Sequence, residues 1–405
     1  MNRGKEAALR LARIADAASV PGPGVTRLPF SSEHSAAVEI IKDWMTAAGL
    51  KVHIDPAGTL IGRRVGPTGA PTLLFGSHQD SVLGGGAFDG IMGIALACLA
   101  LETLRNDTLS VAVEVLAFAD EEGVRFPTAL MGPRALAGTL DPEVLDLVDT
   151  DGIRLREALE RFGGRPCAID QARRSRADIL GYVELHIEQG PVLEAMDQPL
   201  GIVTAICGIE RHKIRFRGTT GHAGTVPMDA RHDALVAASR FVAEVPGMAA
   251  SWPGLRATVG TMTVRPNAPN AIPEDVSLVL EVRSESDADR KAAATALAKL
   301  ASHAADLQGC DVAIDRTYEQ PAVLCDPALS ARLADAANHD LPRLPSGATH
   351  DASAMADLCP IAMLFVRCRG GVSHRPDEFA SPADMGAAVS VIAGLLSCYR
   401  EDSTL

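Results

Sequence analysis

The chain has 405 residues, 47% of them apolar and 22% charged, with a net charge of −13. That length exceeds what one hydrophobic core usually organises, so two domains are expected, and the composition is that of a folded rather than a disordered chain. The acidic balance argues against nucleic acid and against an anionic membrane as partners, because both select basic surfaces.

The opening stretch, MNRGKEAALRLARIADAAS, holds no apolar run of signal-peptide length. The longest apolar run, IMGIALACLAL, is too short to cross a bilayer. Eight cysteines are scattered without paired spacing, and Cys98 and Cys359 lie inside apolar runs. The expectation is a reduced, cytoplasmic protein with no cysteine-based metal site.

SSEHSAAVEIIKDWMTAAG has helical apolar spacing at Val38, Ile41, Trp44, Met45 and Ala48, with Ser31 or Ser32 as cap and Gly49 as stop. LKVHID and TLIGRRVG read as strands. PTLLFGSH and VAVEVLAFAD read as buried strands, with the Ala/Leu-rich helix GIMGIALACLALETLRN between them. Strand, helix, strand predicts an α/β sheet with helices on its faces. Ligands of such sheets bind beyond the carboxyl ends of the strands. His78, Asp80, Asp120, Glu121 and Glu122 fall at those ends.

The middle of the chain has a different rhythm. ERHKIRFRG, LRATVGTMTV, VSLVLEVRS and CDVAIDRTYEQ read as strands, and HDALVAASRFVAEV and DADRKAAATALAKLASHAADLQG as helices. The order β-α-β-β-α-β is a split-βαβ unit. It predicts an inserted α+β domain at about 208–320, within a first domain made of 1–207 and 321–405. DPALSARLADAANH, PIAMLFVRC and SPADMGAAVSVIAGLLSCY then supply a helix, a buried strand and a helix that complete the first domain.

His78, Asp89, Glu122, His186 and His374 are candidate metal ligands at strand ends and loops. Imidazole and carboxylate donors suit Zn²⁺, Mn²⁺, Co²⁺ or Ni²⁺. If one carboxylate bridges, the set suffices for two ions about 3.5–4 Å apart that hold a hydroxide and polarise a carbonyl. Asp80 lies two residues beyond His78, where an extended strand points its carboxylate at the ring N–H of the ligand. GGGAFDG lets the backbone approach closely, and Gly90 lets a helix start right after Asp89. DEEG at 120–123 stacks three carboxylates, and one glutamate as ligand with the other as general base is the economical division. Taken singly, each piece has an ordinary reading: a surface hydrogen bond, a solvated acidic loop, a flexible turn. Their joint occurrence at successive strand ends is what points to a site.

Together GSHQDSV, GGGAFDGIMG, ADEEGVRF, LHIEQGPVLE, GTTGHAGTVPM, PNAPNAIP, SGATHDA and GVSHRPDE resemble the di-metal aminopeptidase-like amidohydrolases, in the branch of N-carbamoyl-L-amino acid hydrolases, ureidopropionases and allantoate amidohydrolases. The resemblance implies a mixed-sheet, metallopeptidase-like catalytic domain with an inserted ferredoxin-like lid and dimerisation domain. It implies two divalent ions, zinc or manganese before cobalt or nickel. His78 and Glu122 or His186 would be terminal ligands, Asp89 the bridge, and His374 the residue closing the second ion site. Glu121 would be the base. His222 and Asn270, from the neighbouring subunit of a homodimer, would bind the carbonyl oxygen or substrate. Arg283 would clamp the substrate carboxylate and Gln189 contact the ureido end. Gln79 and Thr349 depart from the family pattern, and the role of His350 stays open between substrate contact and loop bracing.

The alternation of VSLVLEVR independently puts Arg283 and Glu281 on the open face of their strand. The expected activity is hydrolysis of a carbamoyl C–N bond in a small carboxylate substrate, allantoate or an N-carbamoyl-L-amino acid. The alternatives are a dipeptidase or aminoacylase of the same superfamily, or a non-catalytic dimeric ligand-binding relative.

Overall fold

In the computed structural model, which describes residues 2–400, the chain opens with α1 (Arg3–Ala17). This helix is capped by the Asn2 side chain and buries Ala7, Leu11 and Ile14 at helical spacing. In α2 (Ser32–Ala47) the cap is Ser31, whose side chain accepts the His34 N–H at 3.1 Å. β1 (Lys51–Ile54) and β2 (Leu60–Arg64) pair antiparallel. β3 (Thr72–His78), α3 (Ile91–Thr103) and β4 (Ala112–Phe118) come next, and every residue of both strands is buried. α3 is apolar all round and buried from Ile91 to Leu101, as a helix enclosed by sheet and other helices must be.

The short helices α4 (Met131–Ala137) and α5 (Leu155–Phe162), with several 3₁₀ turns, lead to β5 (Ile179–Ile187), α6 (Val192–Ala195) and β6 (Leu200–Ile206). Then come β7 (Gly208–Arg217), α7 (Ala234–Ala249), β8 (Arg256–Arg265), β9 (Asp275–Ser284), α8 (Asp287–Asp306), β10 (Asp311–Gln320) and β11 (Val323–Leu324). The chain ends in α9 (Pro327–Asp335), β12 (Arg343–Ser346), α10 (Asp351–Met355), β13 (Ile361–Val366) and α11 (Pro382–Ser397). Two units result. One is built from the chain up to Thr204, from Cys325–Leu344 and from Ala348 onwards; the other from Ala205–Leu324 and Pro345–Gly347.

The large sheet runs β1-β2-β4-β3-β5-β13-β6-β11, with β12 also paired to β6. Its centre, β4-β3-β5-β13, is parallel, whereas β1, β2, β6 and β11 pair antiparallel, so the sheet is mixed. The central strands are near-continuous apolar runs because both faces are covered: α3 and α11 contact one face, α4 and α10 the other. Since these four strands share a direction, their carboxyl ends share an edge. The loops that leave those ends gather there, at residues 78–90, 119–122, 186–190 and 367–378.

The second unit has an antiparallel sheet in the order β10-β7-β9-β8. Val276, Leu278, Leu280 and Val282 of β9 are buried and alternate with half-buried residues. They form a core with Phe216, Phe241 of α7 and Leu297 of α8. This is the ferredoxin-like arrangement of two βαβ halves. All eight cysteines are free, and only Cys167 and Cys398 are exposed. Among the described residues no helix is long and apolar enough to cross a membrane.

Candidate metal centre

His78 is the last residue of β3 and His186 the penultimate residue of β5. Glu121 and Glu122 come after β4, His374 after β13, and Asp89 stands just before α3. The parallel sheet brings all six to one place. Asp89 is their centre: its Oδ1 lies 3.1 Å from His186 Nε2 and 3.6 Å from His78 Nε2, and its Oδ2 lies 3.2 Å from His374 Nε2. His374 Nε2 is 3.8 Å from Glu122 Oε1. Two groups of three donors result, His78–Asp89–His186 and Asp89–Glu122–His374, and they share Asp89. Glu121 joins a further group with His78 and Glu122. All but His374 and Glu122 are buried.

The far ring nitrogens are already committed. His78 Nδ1 lies 3.0 Å from the Asp80 carbonyl oxygen and His186 Nδ1 2.9 Å from that of Ile187. Donation from each Nδ1–H leaves the Nε2 lone pair aimed at Asp89, the tautomer a metal ligand needs. For Asp80 this corrects the expected geometry. Its carboxylate stands 3.9 Å from the His78 ring and instead accepts the backbone N–H groups of Glu121 and Glu122, each at 3.2 Å. The strand ends at His78, so the two-residue alternation no longer governs where Asp80 points. Gly90 has φ +65°, and a Cβ there would meet the His78 ring.

Charge in the cluster is strongly displaced. Burial alone raises the Asp89 carboxyl, but the His186, His374 and His78 imidazoles beside it hold it well below the usual carboxylate range. Burial pushes the Glu121 carboxyl well up, against the pull of His78 and with the help of Glu122 and Asp351. Burial pushes Glu122 up to about 7. Asp89 Oδ1 and Glu122 Oε1 are buried oxygens with no hydrogen-bond partner among the described residues. Orphaned carboxylate oxygens facing imidazole Nε2 atoms, with no thiolate among them, are a donor set that fits divalent cations.

Gln189, at φ +58°, directs its Nε2 to Asp89 Oδ2 at 3.0 Å and to Ser373 Oγ at 3.1 Å, so it faces the cluster. In the second unit the turn holding His222 is bridged to Ala271, and the Ala223 N–H donates to the Asn270 carbonyl at 2.9 Å. His222 and Asn270 are therefore neighbours, and both are exposed. Arg283 lies on the open face of β9, where its Nε donates to Glu281 at 2.7 Å and its guanidinium also to the Gly347 carbonyl at 2.6 Å.

Several buried groups around the centre carry no sequence assignment. The Glu184 carboxylate accepts from Ser77 Oγ at 3.2 Å and Ala352 N at 2.8 Å, and forms a donor group with His186 and His350. The His350 ring stands edge-on to His186 at 4.4 Å between centroids. Gln79 is buried, with its amide nitrogen donating to the Ala117 carbonyl at 3.1 Å. Arg27 is fully buried, its pKa lowered to about 10 by burial while Asp80 pulls the other way. A carboxylate inside the apolar strand YVELHI, two residues before His186, is the one sequence signal that marks Glu184.

The chain is 38% identical to the N-carbamoyl-L-amino acid amidohydrolase of Geobacillus stearothermophilus over 97% of each chain. It is 37% identical to the allantoate deiminase of Arabidopsis thaliana over 93% of this chain and 78% of that one. The crystal structure of an amidase of the hydantoinase/carbamoylase family from Burkholderia multivorans superposes with a TM-score of 0.90 at 33% identity, covering 98% of both chains. Residues 65–397, the whole span that supplies the clustered donors, match Peptidase family M20/M25/M40, and the chain belongs to that family.

Proposed function

We propose that this protein hydrolyses the carbamoyl C–N bond of a small ureido carboxylate, allantoate or an N-carbamoyl-L-amino acid. The observation that carries the reading is Asp89, shared by the His78–His186 and Glu122–His374 groups through its two oxygens. His78, Asp89, Glu122, His186 and His374 would together hold two divalent ions, zinc or manganese. Bound there, they would supply Lewis-acid polarisation of the carbonyl and a water acidic enough to attack it.

The remaining chemistry falls to the chain. Glu121 takes the proton of the attacking water and returns it to the departing nitrogen, a double duty open to a buried carboxylate grouped with His78 and Glu122. Asp80 holds the backbone of Glu121 and Glu122 in place. Gln189 contacts the ureido end. Arg283, braced by Glu281 and the Gly347 carbonyl, pairs with the substrate carboxylate. In a homodimer, His222 of the partner subunit and Asn270 of the partner subunit bind the carbonyl oxygen. One water and one ureido group yield an amine and a carbamate, and the carbamate falls apart to ammonia and carbon dioxide.

The names of the amidohydrolase and deiminase relatives support the ureido substrate class. The test is ammonia release from allantoate, N-carbamoyl-L-amino acids, N-carbamoyl-β-alanine and dipeptides, after chelation and with metal added back. Metal-dependent ammonia from the first two is expected. Amino acids released from dipeptides, with the carbamoyl compounds untouched, would instead make the protein a peptidase.

A further inference from the structure

We propose that Glu378 is a positioning residue of the metal centre, one carboxylate that sets the places of Asp89 and His374 together; the inference rests on the metal-centre reading above. Glu378 is 3% exposed. Its Oε2 accepts the backbone N–H of Phe88 at 3.1 Å and of Asp89 at 3.0 Å. Its Oε1 accepts the Ser373 hydroxyl at 2.9 Å. With both oxygens engaged by donors, it serves as a brace for the ligands and is absent from the clustered donor groups.

The hydrogen bonds close into a ring. The Asp89 N–H donates to Glu378, Glu378 receives the hydroxyl of Ser373, and Ser373 Oγ accepts from Gln189 Nε2 at 3.1 Å. Gln189 Nε2 also donates to Asp89 Oδ2 at 3.0 Å. His374, adjacent to Ser373, is held at φ +58° in a loop that the Glu378 N–H closes on the Arg375 carbonyl at 3.1 Å. The two loops that deliver the bridging carboxylate and the last imidazole lie 289 residues apart in sequence at the Asp89–Glu378 contact. A Cβ at Gly86 would overlap the Glu378 carboxylate, so the glycine run before Asp89 is also the space this side chain occupies. Ligand placement within about 0.5 Å decides how well a metal is held.

Two substitutions separate position from charge. Glu378→Gln keeps a carbonyl oxygen for both backbone N–H groups, loses the charge, and turns its NH2 to Ser373, whose hydroxyl oxygen can accept it. Glu378→Asp keeps the charge and falls one methylene short. Full-length protein is stripped of metal and titrated with Co²⁺ against a competing chelator, and thermal unfolding of the metal-free forms is measured in parallel. Glu378→Gln is expected to bind Co²⁺ close to wild type, whereas Glu378→Asp and Glu378→Ala weaken binding about 10–100-fold. If Glu378→Ala fails to fold, the Gln and Asp variants decide alone. The reverse order, Asp near wild type and Gln weak, overturns the proposal in favour of charge. Unchanged Co²⁺ affinity with a lowered melting temperature overturns it in favour of a role in fold stability only. A wild-type protein that takes up no Co²⁺ overturns the metal-centre reading, and this inference with it.

Discussion

His34 shows at the scale of one side chain how burial, helped by a nearby cation, sets a charge. Its Nδ1 accepts the Phe30 N–H at 2.9 Å, and its pKa is pushed down to about 3, by burial first and Arg27 second. In the unfolded chain the same ring titrates near 6.5, at about 1.4 kcal/mol per unit of separation. Between those values the unfolded chain binds a proton that the folded one refuses. The contribution is therefore complete above about pH 6.5 and is lost as pH falls towards 3. His34→Asn keeps an acceptor for Phe30 and removes the titration. In urea unfolding the stability advantage of wild type over this variant should shrink between pH 7.5 and pH 5, and a constant gap would count against the argument. Glu121→Gln should retain its metal, measured by elemental analysis, while turnover falls about 10²–10⁴-fold. The clustered donors were legible because imidazoles and carboxylates at strand ends are costly without a cation. Glu378 and Glu184 were not singled out, because a carboxylate that accepts only backbone and hydroxyl donors has no residue pattern of its own; only the fold shows what it holds.

Among elements, those with caps and periodicity could be read. Ser31, Asp326 and Ser381 each accept a backbone N–H at the start of their helix, and the parallel strands are the apolar runs. Residues 124–178, with short helices and 3₁₀ turns, carry no sustained period and gave no assignment. Strand alternation carried past His78, the last strand residue, misplaces the Asp80 carboxylate. Gly90 offers a test of how an element start shapes the centre. Gly90→Ala forces a side chain to φ +65° and ψ −64°, at about 1–3 kcal/mol for the backbone alone, and drives its Cβ into the His78 ring. Gly69→Ala is the control, since φ is +79° there but no heavy atom lies within 4 Å of the added carbon. Both variants should melt lower than wild type, and only Gly90→Ala should also lose Co²⁺ affinity.

For the molecule as a whole, the centre is a set of buried carboxylates and imidazoles that cations would satisfy, so ligand linkage should govern stability. Chelation should lower the melting temperature, and added Zn²⁺ or Mn²⁺ should restore it in a concentration-dependent way. The proposed homodimer makes a separate prediction. Glu121→Gln and His222→Ala chains, each inactive alone, should regain up to about a quarter of wild-type activity when refolded together, because each mixed dimer has one intact site. Alternation and helix periods predict an inserted unit at 208–320; the second unit of the structure is Ala205–Leu324 plus Pro345–Gly347, and a three-residue return such as Pro345–Gly347 has no period to read. The place of β13 has a consequence for biosynthesis. This late strand lies between β5 and β6, and His374 comes after it. A nascent chain leaving the ribosome therefore exposes the apolar flanks of a sheet that lacks an inner plank until residue 366 has emerged. A stop codon just before position 361 would remove both that plank and a metal ligand, leaving a product for the cell's chaperones and proteases to clear.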